Sequence, residues 1–179
     1  KKNPHITSII ERHNGDIWIA TSGQGAISLK KGKQPSQFNI ETHLVEQMGS
    51  NYLNVLFEDS RQNLWIATED KGLYRYSPES KELKRYKAPY NIGSDDVSAI
   101  CEDSHGQIFV GTLTGGLFKL SARQDGNFEP IPYQKQMIMN IRTLIIDSQG
   151  RMFIGTDGQG VKEYQPKLNA IIDSEINAG

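Results

Sequence analysis

The chain of 179 residues has one cysteine, Cys101, so it cannot close an internal disulfide. No run of eighteen apolar residues occurs, and no segment reads as a membrane-spanning helix. The opening "KKNPHITS" lacks both an initiator Met and the apolar core of a secretion signal, which reads as a piece cut from a longer protein. Excess charge of either sign is also missing, with 20 basic against 21 acidic residues. That balance gives no field to gather nucleic acid or an anionic membrane surface, and neither is expected as a partner. Helical periodicity is not seen anywhere.

What the chain does have is one phrase written four times: "DIWIATSGQGAISL", "NLWIATEDKGLYRY", "QIFVGTLTGGLFKL" and "RMFIGTDGQGVKEY". The anchors Trp18, Trp65, Phe109 and Phe153 are spaced by 47, 44 and 44 residues, the period of a repeat architecture. Three residues after each anchor stands Thr21, Thr68, Thr112 or Thr156. Seven after it stands Gly25, Gly72, Gly116 or Gly160.

Upstream of the anchors, "ITSIIER", "LNVLFED", "VSAICED" and "IRTLIID" are nearly continuously apolar or β-branched, then break into polar turns. Each reads as a buried strand A leading by a tight hairpin into strand B, the aromatic phrase. Ala20, Ala67, Gly111 and Gly155, two after each anchor, leave room for another backbone to approach. The later glycine suits a turn with positive φ, after which strand C follows. A weaker strand D is expected at "QFNIETH", "ELKRYK", "NFEPIPY" and "NAIIDSEI". Pro130 and Pro132 suit an edge position there. Four short antiparallel strands about every 45 residues describe an all-β chain, a β-propeller of four four-stranded blades at about 6–47, 48–91, 92–135 and 136–176. Four blades are at the lower limit for closure, so the chain reads as an open section of a larger propeller. Its end blades would then expose faces meant for neighbours, and the piece should associate or be marginally stable.

The composite of apolar strand, "ED", polar turn, "LWIGT"-like strand and "GGL" resembles the two-component regulator propeller repeat. "VLFEDSRQNLWIATEDKGLYRY" and "AICEDSHGQIFVGTLTGGLFKL" carry the resemblance best, and it extends over most of residues 6–165. Arg12 in place of Asp, Gln62 in place of Gly and Ile146 in place of Glu depart from it. The resemblance implies a sensing role. In that family the repeats form large, often seven-bladed propellers in the extracytoplasmic, periplasmic part of hybrid two-component histidine kinases of Bacteroidetes. Many of those sensors detect oligosaccharides, and the kinase and membrane anchor would lie outside this sequence.

Propeller geometry places the loops into strand A and the B to C loops on one rim. Here they are "EQMGSNY", "PYNIGSDD" and "QKQMIMN", with "SGQ", "EDK", "LTG" and "DGQ". They differ between copies while the frame does not, as a binding rim would. Gln24, Asp70 and Asp157 are candidates to bond sugar hydroxyls, Arg142 to meet a carboxylate or sulfate, and Tyr52 and Tyr90 to stack on a pyranose face. A non-catalytic interaction scaffold, with a homodimer partner or neighbouring blades, is the alternative, and a propeller lyase or lactonase is a further one.

Chemistry of that last kind needs convergent acids, bases or metal ligands. His5 is expected before strand A, His13 and His105 in A to B turns and His43 in an outer strand, four unrelated phases. Glu58-Asp59 and Glu102-Asp103 recur at a strand end, where Asp accepts bonds from turn amides. The recurring threonines point to a structural hydrogen bond, Trp18 and Trp65 to packing between blades, and Cys101 to a buried small hydrophobe. No catalytic residue, metal site or cofactor is therefore assigned.

Overall fold

The computed structural model describes residues 3–121, 126–133 and 139–174. It is built of four antiparallel sheets of four strands each, every one laid down in chain order. The first holds β1 (His5–Glu11), β2 (Ile17–Ser22), β3 (Gly25–Leu29) and β4 (Asn39–Ile40). The second holds β5 (Leu53–Glu58), β6 (Leu64–Thr68), β7 (Leu73–Ser77) and β8 (Glu82–Tyr86). The third holds β9 (Val97–Glu102), β10 (Ile108–Thr112), β11 (Gly116–Leu120) and β12 (Phe128–Ile131). The fourth holds β13 (Ile141–Ile146), β14 (Met152–Thr156), β15 (Val161–Gln165) and β16 (Ala170–Asp173). These are propeller blades. The chain divides into two compact units, one ending at Arg85 and one beginning at Tyr86, each with two blades.

The repeated residues hold the hairpins. Where strand A turns into strand B, Asp59 Oδ1 accepts the amides of Arg61 and Asn63 at 3.0 and 2.8 Å. Asp103 Oδ1 accepts those of His105 and Gln107, and Asp147 Oδ1 those of Gln149 and Arg151, all at 2.9 Å. The same turn needs positive φ one residue before strand B resumes its polar lead, and Gly15, Gly106 and Gly150 supply it at 81°, 78° and 78°. In the second blade Gln62 takes it at 66°, a conformation costly to a residue with a Cβ.

Three sequence expectations need correction. Strand D of the first blade is only two residues long, and "ETH" leads instead into a helix, α1 (Thr42–Met48), so His43 is helical. The helix stops at Gly49, whose φ of 65° lets its amide bond Val45 O at 2.9 Å. Leu44 and Met48, one turn apart, are buried, and the Tyr74 hydroxyl donates to Met48 O at 2.7 Å. Two apolar contacts in under two turns leave no period to detect, and packing decides the conformation. Second, strand A is not uniformly buried: β1, which includes His5, is mostly exposed, with Ile9 at 62%. Third, the small residue two after the anchor makes room for a side chain rather than a backbone. A Cβ on Gly111 would lie 2.5 Å from Ile141 Cγ2, and one on Gly155 2.6 Å from Thr143 Cγ2.

Candidate functional site

The threonine three after each anchor closes the B to C loop from inside. Its hydroxyl donates to the glycine carbonyl four residues on, at 2.8 Å for Thr21, 2.7 Å for Thr68, 3.1 Å for Thr112 and 2.6 Å for Thr156. The same oxygen accepts the amide three residues on, from Gln24, Lys71, Gly115 and Gln159. The two bonds use only the hydroxyl and main chain, so the loop between is held whatever its side chains are.

In the first unit the segment ahead of β5 is fastened to two such loops. Asn51 O accepts the amides of Gly23 and Gly25 at 2.8 and 3.0 Å, and Tyr52 O accepts that of Glu69 at 3.0 Å. Ser50 Oγ donates to Asp70 Oδ1 at 2.6 Å and accepts the Tyr52 amide at 3.1 Å. These bonds bring Gln24, Tyr52 and Asp70 to one rim. Gln24 and Asp70 are exposed, and 49% of Tyr52 is open to solvent.

The second unit repeats the plan. Leu113 N donates to Asp96 O at 2.9 Å, and Thr114 Oγ1 to Ser94 Oγ at 3.0 Å. Gly93 and Gly115 touch so closely that a Cβ on Gly115 would come within 2.5 Å of Gly93 C. Tyr90, 79% exposed, rides at the edge of this segment with Lys87 Nζ 5.8 Å from its ring centroid. Asp157 N donates to Asn140 O at 2.8 Å. Arg142 does not stand as a lone cation: its Nη2 meets Asp157 Oδ2 at 2.7 Å, with both side chains more than half exposed. An incoming anion would have to displace Asp157, and an exposed pair of this kind resists with at most about 1 kcal/mol. Of "QKQMIMN", residues 134–138 lie outside the described residues.

Ser50 and Ser94 escaped the sequence reading. The Gly-Ser shared by "MGSNY" and "IGSDD" marks them, because a residue recurring inside otherwise variable loops has a frame to serve.

The histidine and carboxylate pairs resolve into structure. Glu58 takes Arg12 Nε and His13 Nδ1 at 2.9 Å and the His13 amide at 2.6 Å. Burial would raise its carboxyl, but His13 and then Arg12 bond the charged form and hold it below the ordinary range. A groove of about 410 Å³ opens beside it, lined by Arg12, Asp16, Trp18, Lys30 and Glu41 among others. Two of its cations are spent internally, Lys30 on Asp16 and Arg12 on Glu58, both at 2.9 Å. Burial, with Asp103 adding to it, pushes the Cys101 thiol up to about 12, which keeps it a thiol and a poor nucleophile. Among the described residues no group of three His, Cys, Asp or Glu side chains could hold a metal ion, and no helix is long and apolar enough to cross a membrane.

The family model "Two component regulator propeller" matches residues 1–23, 47–70 and 91–114. These stretches are similar to two-component regulator propeller repeats. The second and third matches each begin in the segment ahead of strand A and end in the B to C loop, so they contain the parts that build the rim. A curated relative, histidine kinase P4 of Formosa agariphila, is 33% identical over 81 residues, 44% of this chain but 6% of that protein. The extracellular domain of a hybrid two-component system from B. thetaiotaomicron has the same fold, with a TM-score of 0.69 at 20% identity over 97% of this chain and 25% of that one. Virginiamycin B lyase from Staphylococcus aureus shares it too, with a TM-score of 0.71 at 12% identity over 97% of this chain and 56% of that one. This chain thus spans only a fraction of the length of these proteins. At such identities the solved structures carry the fold and leave the activity to be argued from residues.

Proposed function

We propose that this chain is part of the ligand-sensing region of a hybrid two-component histidine kinase, working in the periplasm and passing its signal to a kinase carried elsewhere in the parent protein. The observation that carries the reading is the rim: a shared frame of threonine, glycine and main-chain bonds holds loops whose exposed side chains differ from blade to blade. The family match and the kinase relative support a sensor over other uses of the fold.

The loop chemistry of each unit, taken by itself, fits an oligosaccharide. Tyr52 and Tyr90 are open aromatic faces, Asp70 and Ser50 form a hydroxyl-and-carboxylate pair, and Arg142 with Asp157 is an exposed pair that a sulfate or uronate could enter. Catalysis is not part of this reading. The carboxylates that recur, Asp59, Asp103 and Asp147, are occupied by turn amides, and the lyase shares no more than the fold.

A thermal-shift screen against neutral, acidic and sulfated oligosaccharides tests it. A ligand held only by the folded state adds about 2.7 kcal/mol at a hundred times its Kd. A shift confined to one class, lost in Tyr52→Ala with Asp70→Ala or in Arg142→Ala, supports the sensor. A well-folded protein that answers to no glycan moves the assignment to the second reading, a non-catalytic interaction scaffold, which the exposed Ile9 and Ile40 of the first blade favour.

A further inference from the structure

One polar atom inside the first unit lacks what its copy in the next blade has. Trp65 Nε1 donates to the carboxylate of Asp59, the residue that ends strand A. Trp18 holds the same register, opposite Ile10 as Trp65 is opposite Phe57. On the repeat's geometry its indole N–H is directed at the turn that Arg12 opens. Arg12 stands where the other copies have Asp, and a guanidinium accepts nothing. Trp18 is 5% exposed, and its buried Nε1 has no hydrogen-bond partner among the described residues. An indole nitrogen can only donate, so a buried one calls for an acceptor from elsewhere.

Trp18 and Arg12 both line the groove of about 410 Å³, which is walled by the A to B turn of blade one, by α1 and by the C to D turn of blade two. Leu44, Tyr76 and Pro78 give it an apolar side. Its carboxylates are engaged. Asp16 accepts from Lys30 Nζ, the Lys31 amide and Asn14, and Glu41 accepts from the Ser28 hydroxyl. What remains in the lining is donors. Arg12 bonds Glu58 and the Gln62 carbonyl through Nε and Nη2, which leaves Nη1 over. Lys81, exposed on the C to D turn, has neither an ion pair nor a side-chain hydrogen bond among the described residues.

We propose that this groove binds a small carboxylate, one oxygen of which takes the place on Trp18 Nε1 that Asp59 takes on Trp65 Nε1. Three observations select that class. The second blade shows that a carboxylate oxygen suits the indole N–H at this register. The uncommitted groups of the lining are an indole N–H and two cations, and bonds from such groups to an anion are about twice as strong as neutral ones. The volume lies at the small end of the range for small-molecule sites and admits a ring-sized body against Leu44 and Tyr76. The groove sits at the A to B and C to D turns, the strand ends opposite the B to C loops, so the site is distinct from those loops and holds whatever they bind.

The test watches the indole N–H itself. In a proton–nitrogen correlation spectrum of the whole chain the two tryptophans give two indole signals, and Trp18→Phe tells them apart. Phe suits that place, since Phe109 and Phe153 are anchors of the same repeat. The probes are glucuronate, glucose as its neutral counterpart, and acetate, each raised to about 10 mM, enough to fill a site with a Kd of about 1 mM. The expected result is that the Trp18 signal moves saturably with glucuronate and not with glucose, while the Trp65 signal stays. A response to acetate as well assigns recognition to the carboxylate alone, and a response to glucuronate only makes the sugar ring part of it; either supports the proposal. Arg12→Asp, which returns the repeat's own carboxylate, should show the Trp18 signal already displaced and deaf to glucuronate. Lys81→Gln, exposed and free of the bonds Arg12 makes, should raise the apparent Kd severalfold without risk to the fold. A Trp18 signal that ignores both carboxylates, or that glucose moves as far as glucuronate does, overturns the proposal. So does a response that is lost in Tyr52→Ala with Asp70→Ala, because the ligand would then sit on the loops.

Discussion

Trp65 donates its indole Nε1 hydrogen to Asp59 Oδ2 across 2.8 Å, while its own side chain is fully buried. The matching pair in the first blade is Trp18 and Arg12. There the guanidinium carbon lies 5.9 Å from the ring centroid, and the buried Trp18 Nε1 has no hydrogen-bond partner among the described residues. One departure in the repeat therefore exchanges an acceptor for a cation. Arg12 in turn spans to the second blade, bonding Glu58 and the Gln62 carbonyl.

Asp59→Ala should destabilise the first unit by about 3 kcal/mol, since it leaves a buried indole N–H and two turn amides without their acceptor. Asp147→Ala, whose carboxylate serves an exposed turn and Arg151, should cost clearly less. Both tryptophans lie before Arg85, so their fluorescence during urea unfolding reads the first unit. Circular dichroism reads both units, and what it shows beyond the fluorescence transition reports the second. Equal losses for the two variants would contradict the account.

Gln62→Gly should stabilise the first unit by about 0.5–1 kcal/mol. The relief of a left-handed backbone is worth about 1–2 kcal/mol, and the added freedom of the unfolded chain takes part of it back. The bond from Arg12 to the Gln62 carbonyl is to main chain and survives the change. A lowered urea midpoint would show that the Gln62 side chain contributes more than its geometry indicates.

Gly25→Ala and Gly116→Ala separate conformation from space. Both glycines have positive φ, 74° and 89°. A Cβ on Gly116 meets nothing within 4 Å, whereas one on Gly25 runs into the Val45 side chain of α1. The first should therefore cost only the conformational term of about 1–2 kcal/mol, and the second clearly more in thermal melts.

Glu58 makes stability depend on pH in the acid range. Its folded pKa is depressed, so its contribution is present above the ordinary value of 4.5 and is lost as pH falls through the folded value. Asp16, which Lys30 and the Lys31 amide hold down against burial, and Asp147 act in the same direction. Fluorescence-detected urea midpoints should hold from pH 7 to about 5 and then decline, and Glu58→Gln should flatten that decline. An unchanged slope in the variant would remove Glu58 from the account.

The frame was legible because it recurs. A threonine that bonds the same two main-chain atoms in each blade has the same position in each copy, and the turn aspartates follow the same logic. What happens once was not legible. α1 occupies seven residues with two buried contacts, and a strand A that is apolar in all four copies is exposed in β1 only because of which blade it belongs to. At the rim, placement of the loops was readable, since loops follow strands, but the pairing of Arg142 with Asp157 was not. Two side chains fifteen residues apart meet only through the register of β13 on β14.

The threonine latch also bears on how such a protein changes over time. Because the hydroxyl closes each B to C loop through main-chain atoms, residues 22–24, 69–71, 113–115 and 157–159 are the least constrained letters in a tightly constrained text. A library randomised there, with Gly23 and Gly158 kept for their positive φ and Gly115 for its close approach to Gly93, would alter what the loops display and leave their foundation standing.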